Sequence, residues 1–160
     1  MIDVSNLKDV LNTLGFVAHG DMYEKAFPEF GCSLKVDFQA KKLIYPVAIK
    51  GRERNDGFDQ KENFVVFECV CRLLTKGYRP EHIELEKEWH LGHDAKSGRA
   101  DICVTDAKGN MLFIIECKTW GREFDKALTD TKNDGAQLFS YWQQEQSCKW
   151  LVLYTSDLKG

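Results

Sequence analysis

The sequence holds no apolar run near the ~20 residues needed to cross a bilayer, no C-x-x-C pair, no G-x-x-x-x-G-K-[ST] loop and no basic excess. The first absence excludes a membrane-spanning helix. The start, Met1-Ile2-Asp3-Val4-Ser5-Asn6, is polar and lacks the basic and apolar blocks of a secretory signal. Without C-x-x-C spacing, a zinc ribbon is not expected. His90 and His93 lie beside Gly92, but no second ligand pair stands near them. The missing phosphate loop removes ATP as a ligand of this segment, and no methyltransferase motif calls for S-adenosylmethionine. A net charge of −3 argues against a dedicated nucleic-acid binder, which usually carries a basic excess. There is also no internal repeat or low-complexity segment.

What is present is ordinary for one globular domain: 160 residues, 43% hydrophobic and 29% charged. Four of the cysteines, Cys69, Cys71, Cys103 and Cys117, fall inside apolar runs. They read as reduced, buried thiols of a cytoplasmic protein. Basic residues concentrate at Lys41, Lys42, Lys50, Arg52 and Arg54. Such a stretch is either a phosphate-facing surface or a solvated loop.

Residues 5–14 carry Leu7, Val10, Leu11 and Leu14 at helical spacing, closed by Gly15. Leu34, Val36 and Phe38 alternate, and 42–45 follow as the second arm of a small hairpin before Pro46. Residues 51–61 are a polar loop. Residues 62–76 form the strongest helix, apolar nearly all round and therefore buried, with Gly77 as its stop. Strands are expected over 83–91, 99–105, 111–118 and, buried, 150–154, with a helix over 135–146. The order predicts an α/β or α+β fold, a mixed central sheet flanked by helices. Residues 1–60 would be an extension of helix and hairpin, and 61–160 the core of a domain cut from a longer protein.

The hairpin around Asp106-Ala107-Lys108-Gly109-Asn110 carries the chemistry. Pairing Asp106 with Met111 sets Asp101 opposite Glu116. Opposed residues share a face, with Cβ atoms ~5 Å apart. Lys118, two residues beyond Glu116, shares that face too. Like charges so placed destabilise a fold unless compensated. A divalent cation with oxygen ligands, Mg²⁺, is the natural compensation. Lys118 is then either a counter-ion or a group that orients a water. A surface salt-bridge cluster remains the alternative. Against it, Glu116 follows Leu112-Phe113-Ile114-Ile115, where charge is costly without a role.

Arg99-Ala100-Asp101-Ile102 with Phe113-Ile114-Ile115-Glu116-Cys117-Lys118 resembles the D…ExK core of PD-(D/E)XK nucleases, with Ala100 where some members have Pro. Glu62 opens a helix ending in Lys76-Gly77-Tyr78, and Ile83-Glu84-Leu85-Glu86 follows. This resembles the N-terminal nuclease region of type I restriction R subunits and of large single-chain restriction-modification proteins. Gln137-Leu138-Phe139-Ser140-Tyr141 resembles the QxxxY motif of that group and of RecB-like nucleases. Gln137 and Tyr141 are i, i+4 and share a helix face.

The resemblance implies a restriction-endonuclease-like fold and Mg²⁺-dependent cleavage of double-stranded DNA, Mn²⁺ being able to substitute. Asp101, Glu116 and the Cys117 carbonyl would hold the ion. Lys118 would position the attacking water. Glu62 would assist, through a second metal or a metal-bound water; Glu68 ranks below it. Gln137 and Tyr141 would fix their helix and touch backbone phosphate, although Tyr141 also reads as a core residue. Thr119-Trp120-Gly121-Arg122 would meet DNA, or Trp120 would simply pack. The partners implied are motor, methyltransferase and specificity modules, and transiently a second copy. A RecB-like repair nuclease and a non-catalytic DNA-binding or scaffolding module of the same fold remain the alternatives.

Overall fold

The computed structural model describes residues 1–89 and 98–159; His90 and His93 lie outside the described residues. Helix α1 (Leu7–Thr13) buries Leu7, Val10 and Leu11 on one face. An antiparallel sheet follows in the order β1-β2-β3-β4 (Val17–His19, Met22–Phe27, Cys32–Asp37, Lys42–Ile44). The expected hairpin is its β3–β4 half. β1 and β2 escape pattern reading for a physical reason. All three residues of β1 are exposed, and Glu24-Lys25 interrupts the alternation of β2. Leu34 and Val36 alternate inward as expected.

Helix α2 (Lys61–Thr75) is buried along nearly its whole length. Phe67 meets Phe16 at 5.9 Å and Tyr45 at 5.3 Å between ring centroids, and Phe64 meets Phe58 at 5.2 Å. Burying each such ring stabilises by about 2–3 kcal/mol. One core cluster includes residues of the first sheet, α2 and the second sheet. Glu68, in the middle of α2, is 3% exposed. Its carboxylate accepts from Arg72 Nε and, at 2.5 Å, from Tyr154 Oη.

The second sheet has the order β5-β6-β7-β8 (Ile83–Trp89, Gly98–Thr105, Met111–Cys117, Trp150–Tyr154). β5, β6 and β7 run antiparallel, and β8 is parallel to β7. A parallel neighbour demands a crossover. Here it consists of two helices, α3 (Arg122–Asp134) and α4 (Ala136–Gln144). α3 was not expected, because its sequence is polar overall and its half-buried stripe, Phe124, Ala127, Leu128 and Thr131, holds only two large apolar residues. Gly135 separates the two at φ 75°, and a Cβ there would lie 2.5 Å from Phe139 Cβ. α4 sets Leu138 and Tyr141 on one face of the sheet, against Ala100, Cys103 and Ile114. Ile102, Val104, Ile115 and Cys117 join the core that contains α2. The described residues form a mixed α+β fold with two sheets and four α-helices.

Two expectations need correcting. β8 is an edge strand, so it is half-buried and Trp150 is 64% exposed, not a buried strand throughout. Met111 pairs with Thr105, not Asp106. Asp106 instead closes the turn, its carboxylate accepting from the N–H groups of Lys108 (2.9 Å) and Asn110 (2.8 Å). The register shifts between Val104 and Thr105, so Val104–Phe113, Cys103–Ile114 and Ile102–Ile115 keep the expected pairing. A slip carried through the strand would have turned the carboxylates to opposite faces. Among the described residues no helix is long and apolar enough to cross a membrane.

Candidate functional site

The β6–β7 ladder ends at Ile102–Ile115, and the next residues on each strand are Asp101 and Glu116. Asp101 replaces the backbone pairing there: its Oδ2 accepts from the Cys117 N–H at 2.6 Å. Both carboxylates are buried, Asp101 at 9% exposure and Glu116 at 4%. Burial, then the Glu116 charge, push the Asp101 carboxyl well above its usual range, against the Cys117 hydrogen bond. Burial raises Glu116 as well, opposed chiefly by Lys118. Burial leads both shifts, with the Glu116 charge adding to that of Asp101 and the Glu62 charge to that of Glu116.

Lys118 follows β7 and returns to the same face, with Nζ 2.6 Å from Glu116 Oε1 and 3.5 Å from Glu62 Oε2. Burial lowers its ammonium, but Glu116, Glu62 and Asp101 outweigh burial and hold it above its ordinary value. Glu62 lies in the first turn of α2. Tyr141 rises from α4 and is fully buried. Its hydroxyl donates to the Arg99 carbonyl and lies 3.3 Å from Glu116 Oε2. Its ring stacks on Trp89 at 5.5 Å, and a Cβ on Gly98 would lie 3.2 Å from it. Tyr141 therefore packs in the core and also reaches a site carboxylate. Gln137 belongs to α4, but its side chain lies outside the described residues.

These groups open onto one cleft of about 1020 Å³. Asp101, Glu116, Lys118, Glu62 and Tyr141 all line it. Glu68 does not; it is committed to Arg72 and Tyr154. Trp120 does not line it either; it stacks on Phe124 at 6.1 Å and is 45% exposed. The basic stretch divides. Lys42 pairs with Asp56 at 2.8 Å, and Arg52 donates to the Val47 and Ile49 carbonyls at 3.0 and 3.1 Å. Only Arg54 of the five reaches the cleft.

Sequence reading missed Glu86, Glu88, Arg99 and Asn55 as cleft residues. Glu86 is a non-glycine residue at φ 54° inside a strand, an uncommon conformation for a side-chain-bearing residue. The register is the same on both sides of it, Leu85–Ile102 and Lys87–Ala100, so no residue is inserted. The three glutamates at strand alternation in Ile83-Glu84-Leu85-Glu86-Lys87-Glu88 were the available signal.

Three cationic side chains (Arg54, Arg99, Lys118) face five carboxylates (Glu62, Glu86, Glu88, Asp101, Glu116) across the cleft. When all are ionised, one divalent cation balances the difference. Among the described residues no three His, Cys, Asp or Glu side chains converge as a cage. A donor set of two carboxylates suits Mg²⁺, which keeps several of its waters. Asp101 Oδ1 has no hydrogen-bond donor among the described residues, so an oxygen of the pair is available to a cation.

No curated protein matches the chain. Residues 62–158, more than half of it, match the family described as type I restriction enzyme R protein N terminus. That span begins at the Glu62 of α2, includes both strands carrying the buried carboxylates, and runs past β8. The chain belongs to the family of type I restriction enzyme R protein N termini.

Proposed function

We propose that this restriction-enzyme module is a divalent-metal-dependent DNA endonuclease of the PD-(D/E)XK kind, hydrolysing phosphodiester bonds. The observation that carries the reading is the buried pair Asp101 and Glu116 with Lys118 against it. Two desolvated carboxylates side by side are costly without a cation. Asp101, Glu116 and the Cys117 carbonyl are the groups that would hold Mg²⁺, or Mn²⁺ in its place. A bound ion of this kind polarises a phosphoryl oxygen and makes a water a stronger nucleophile.

The chain's own residues do the positioning. Lys118 holds its proton firmly and presents a fixed positive charge where negative charge develops on the phosphate. Tyr141, with its hydroxyl 3.3 Å from Glu116 Oε2, packs beside that carboxylate and restrains it. Glu62, across Lys118, keeps the ammonium between two carboxylates and would assist through a second metal or a metal-bound water. Gln137, one helical turn before Tyr141 on α4, is assigned to backbone-phosphate contact by the family resemblance.

The test is cleavage of duplex DNA by the intact R protein in Mg²⁺ or Mn²⁺. Activity should vanish in Lys118→Ala; normal cutting by that variant refutes the assignment. A second reading, a non-catalytic binding or scaffolding module, draws on the net charge of −3. It is favoured if calorimetry detects no divalent-ion binding and DNA stays intact in Mn²⁺.

A further inference from the structure

The segment ahead of the matched region reaches into the cleft, and does so through a specific backbone junction. Leu85 N–H donates to the Lys50 carbonyl at 2.8 Å, and Lys50 N–H to the Ile83 carbonyl at 3.4 Å. Lys50 thus bridges β5 in parallel fashion at Glu84. Gly51 next to it has φ 72°, and a Cβ there would lie 1.9 Å from the Leu85 carbonyl oxygen. Only glycine fits so close an approach of two backbones. A 3-10 turn, Arg52–Arg54, follows at once. It delivers Arg54 and Asn55 to the cleft.

What they meet there is a ring of opposite charges. Arg54 Nη1 binds Glu88 Oε1 at 2.5 Å. Arg99 Nε binds Glu86 Oε2 at 2.5 Å, and its Nη1 lies 3.8 Å from Glu88 Oε1. Buried Asn55 donates to Glu86 Oε1 at 3.0 Å. The two arginines remain about half exposed, at 51% and 53%, while Glu86 is at 9%. Glu86 holds its place with a left-handed backbone, a conformation that persists where the surroundings enforce it. Arg99 is two residues from Asp101 on the same strand, so the ring lies at the mouth of the carboxylate site.

We propose that Arg54 and Arg99 are contacts for the phosphate backbone of the bound DNA strand, held ready by Glu86 and Glu88. On binding, phosphate oxygens take the arginine forks that the carboxylates occupy in the free protein. Guanidinium matches phosphate bidentately as it matches carboxylate. Glu86 and Glu88 keep the forks extended into the cleft and hold anions off until a strand with several phosphates competes. The 1–60 segment then supplies one arm of the DNA contact, outside the matched span. This rests on the nuclease reading above.

The test is binding of a short fluorescein-labelled duplex to this chain by anisotropy, at several salt concentrations, with Ca²⁺ so that no cleavage intervenes. Arg54→Ala should weaken binding about tenfold and reduce the salt slope by about one unit. Arg54→Lys should retain most of the slope, because it retains the charge. Glu88→Gln should tighten binding, because it removes a competitor for both forks. Thermal unfolding of each variant reports on folding separately. The inference is overturned if Arg54→Ala leaves affinity and slope unchanged. It is also overturned if Glu88→Gln and Arg54→Lys weaken binding as much as Arg54→Ala, since the ring would then be a structural brace. If Lys118→Ala abolishes cleavage while Arg54→Ala binds like the parent chain, the nuclease reading stands and this one falls. If the parent chain binds no duplex while cleavage by the intact R protein depends on Lys118, the nuclease reading stands and this inference falls.

Discussion

Two buried glutamates divide this molecule between structure and chemistry. Glu68 in α2 and Glu116 in β7 are equally withdrawn from water, at 3% and 4% exposure. Among the described residues Glu68 has one cationic partner, Arg72, and one hydroxyl partner, Tyr154, and no second carboxylate competes for them. Its surroundings are complete, as a buried ion requires. Glu116 also has a cation, Lys118, and a tyrosine hydroxyl. But Asp101 shares the same place, and Glu62 draws on the same lysine. The first arrangement is satisfied by the protein alone. The second carries more negative charge than the protein compensates. Burial alone therefore identifies neither as functional; the balance of neighbours does.

The sharpest way to break this comparison is to neutralise each region in turn. Glu116→Gln and Lys118→Ala should each lower the rate of DNA cleavage by at least about 10²–10³, while Glu68→Gln leaves it within a small factor. A cleavage assay at saturating Mn²⁺ checks this. Stability should respond in the opposite order. Glu68→Gln removes the charge of a buried carboxylate held by a half-exposed Arg72 and by Tyr154, and should cost about 1–3 kcal/mol in urea unfolding. Glu116→Gln in metal-free protein should be neutral or stabilising, because it relieves the like-charge pair. If Glu116→Gln costs as much as Glu68→Gln, the two regions are alike and the contrast fails.

A smaller effect should come from the cation. Divalent metal at ten times its dissociation constant should stabilise the parent chain by about 1.4 kcal/mol. Calorimetric unfolding should show this gain in the parent and in Glu68→Gln but not in Asp101→Asn. The smallest effect is in pH. Burial and the Glu116 charge raise the Asp101 carboxyl in the folded chain. The folded state therefore keeps that proton to higher pH than the unfolded state, whose value is about 3.9. The contribution is fully present below that value and is lost as pH rises through the raised one. Metal-free stability should fall over that window, and Asp101→Asn should flatten the fall. A profile unchanged by Asp101→Asn would count against the shared-charge account.

The sequence made the Asp101–Glu116–Lys118 face legible because strand alternation and hairpin pairing are local rules. Three ladder pairs next to the site obey them even though the turn does not. Asp106 looked like the last strand residue, whereas its carboxylate prefers the turn amides. α2 was legible from its unbroken apolar run, and Gly77 from its position after it. α3 was not, because a polar crossover helix needs little core; Gly121 before it and Gly135 after it were the punctuation to notice. The Arg54 side of the cleft was beyond local rules. It depends on Lys50 pairing with β5 across more than thirty residues of chain, and on Glu86 adopting a conformation that no propensity suggests.

The central claim is that Asp101 and Glu116 share a cation. Anomalous diffraction from crystals soaked in Mn²⁺ measures this directly. The account predicts a peak between the two carboxylates and its loss in Asp101→Asn. Saturating Mn²⁺ with no peak there, or a peak only at other groups, would contradict it.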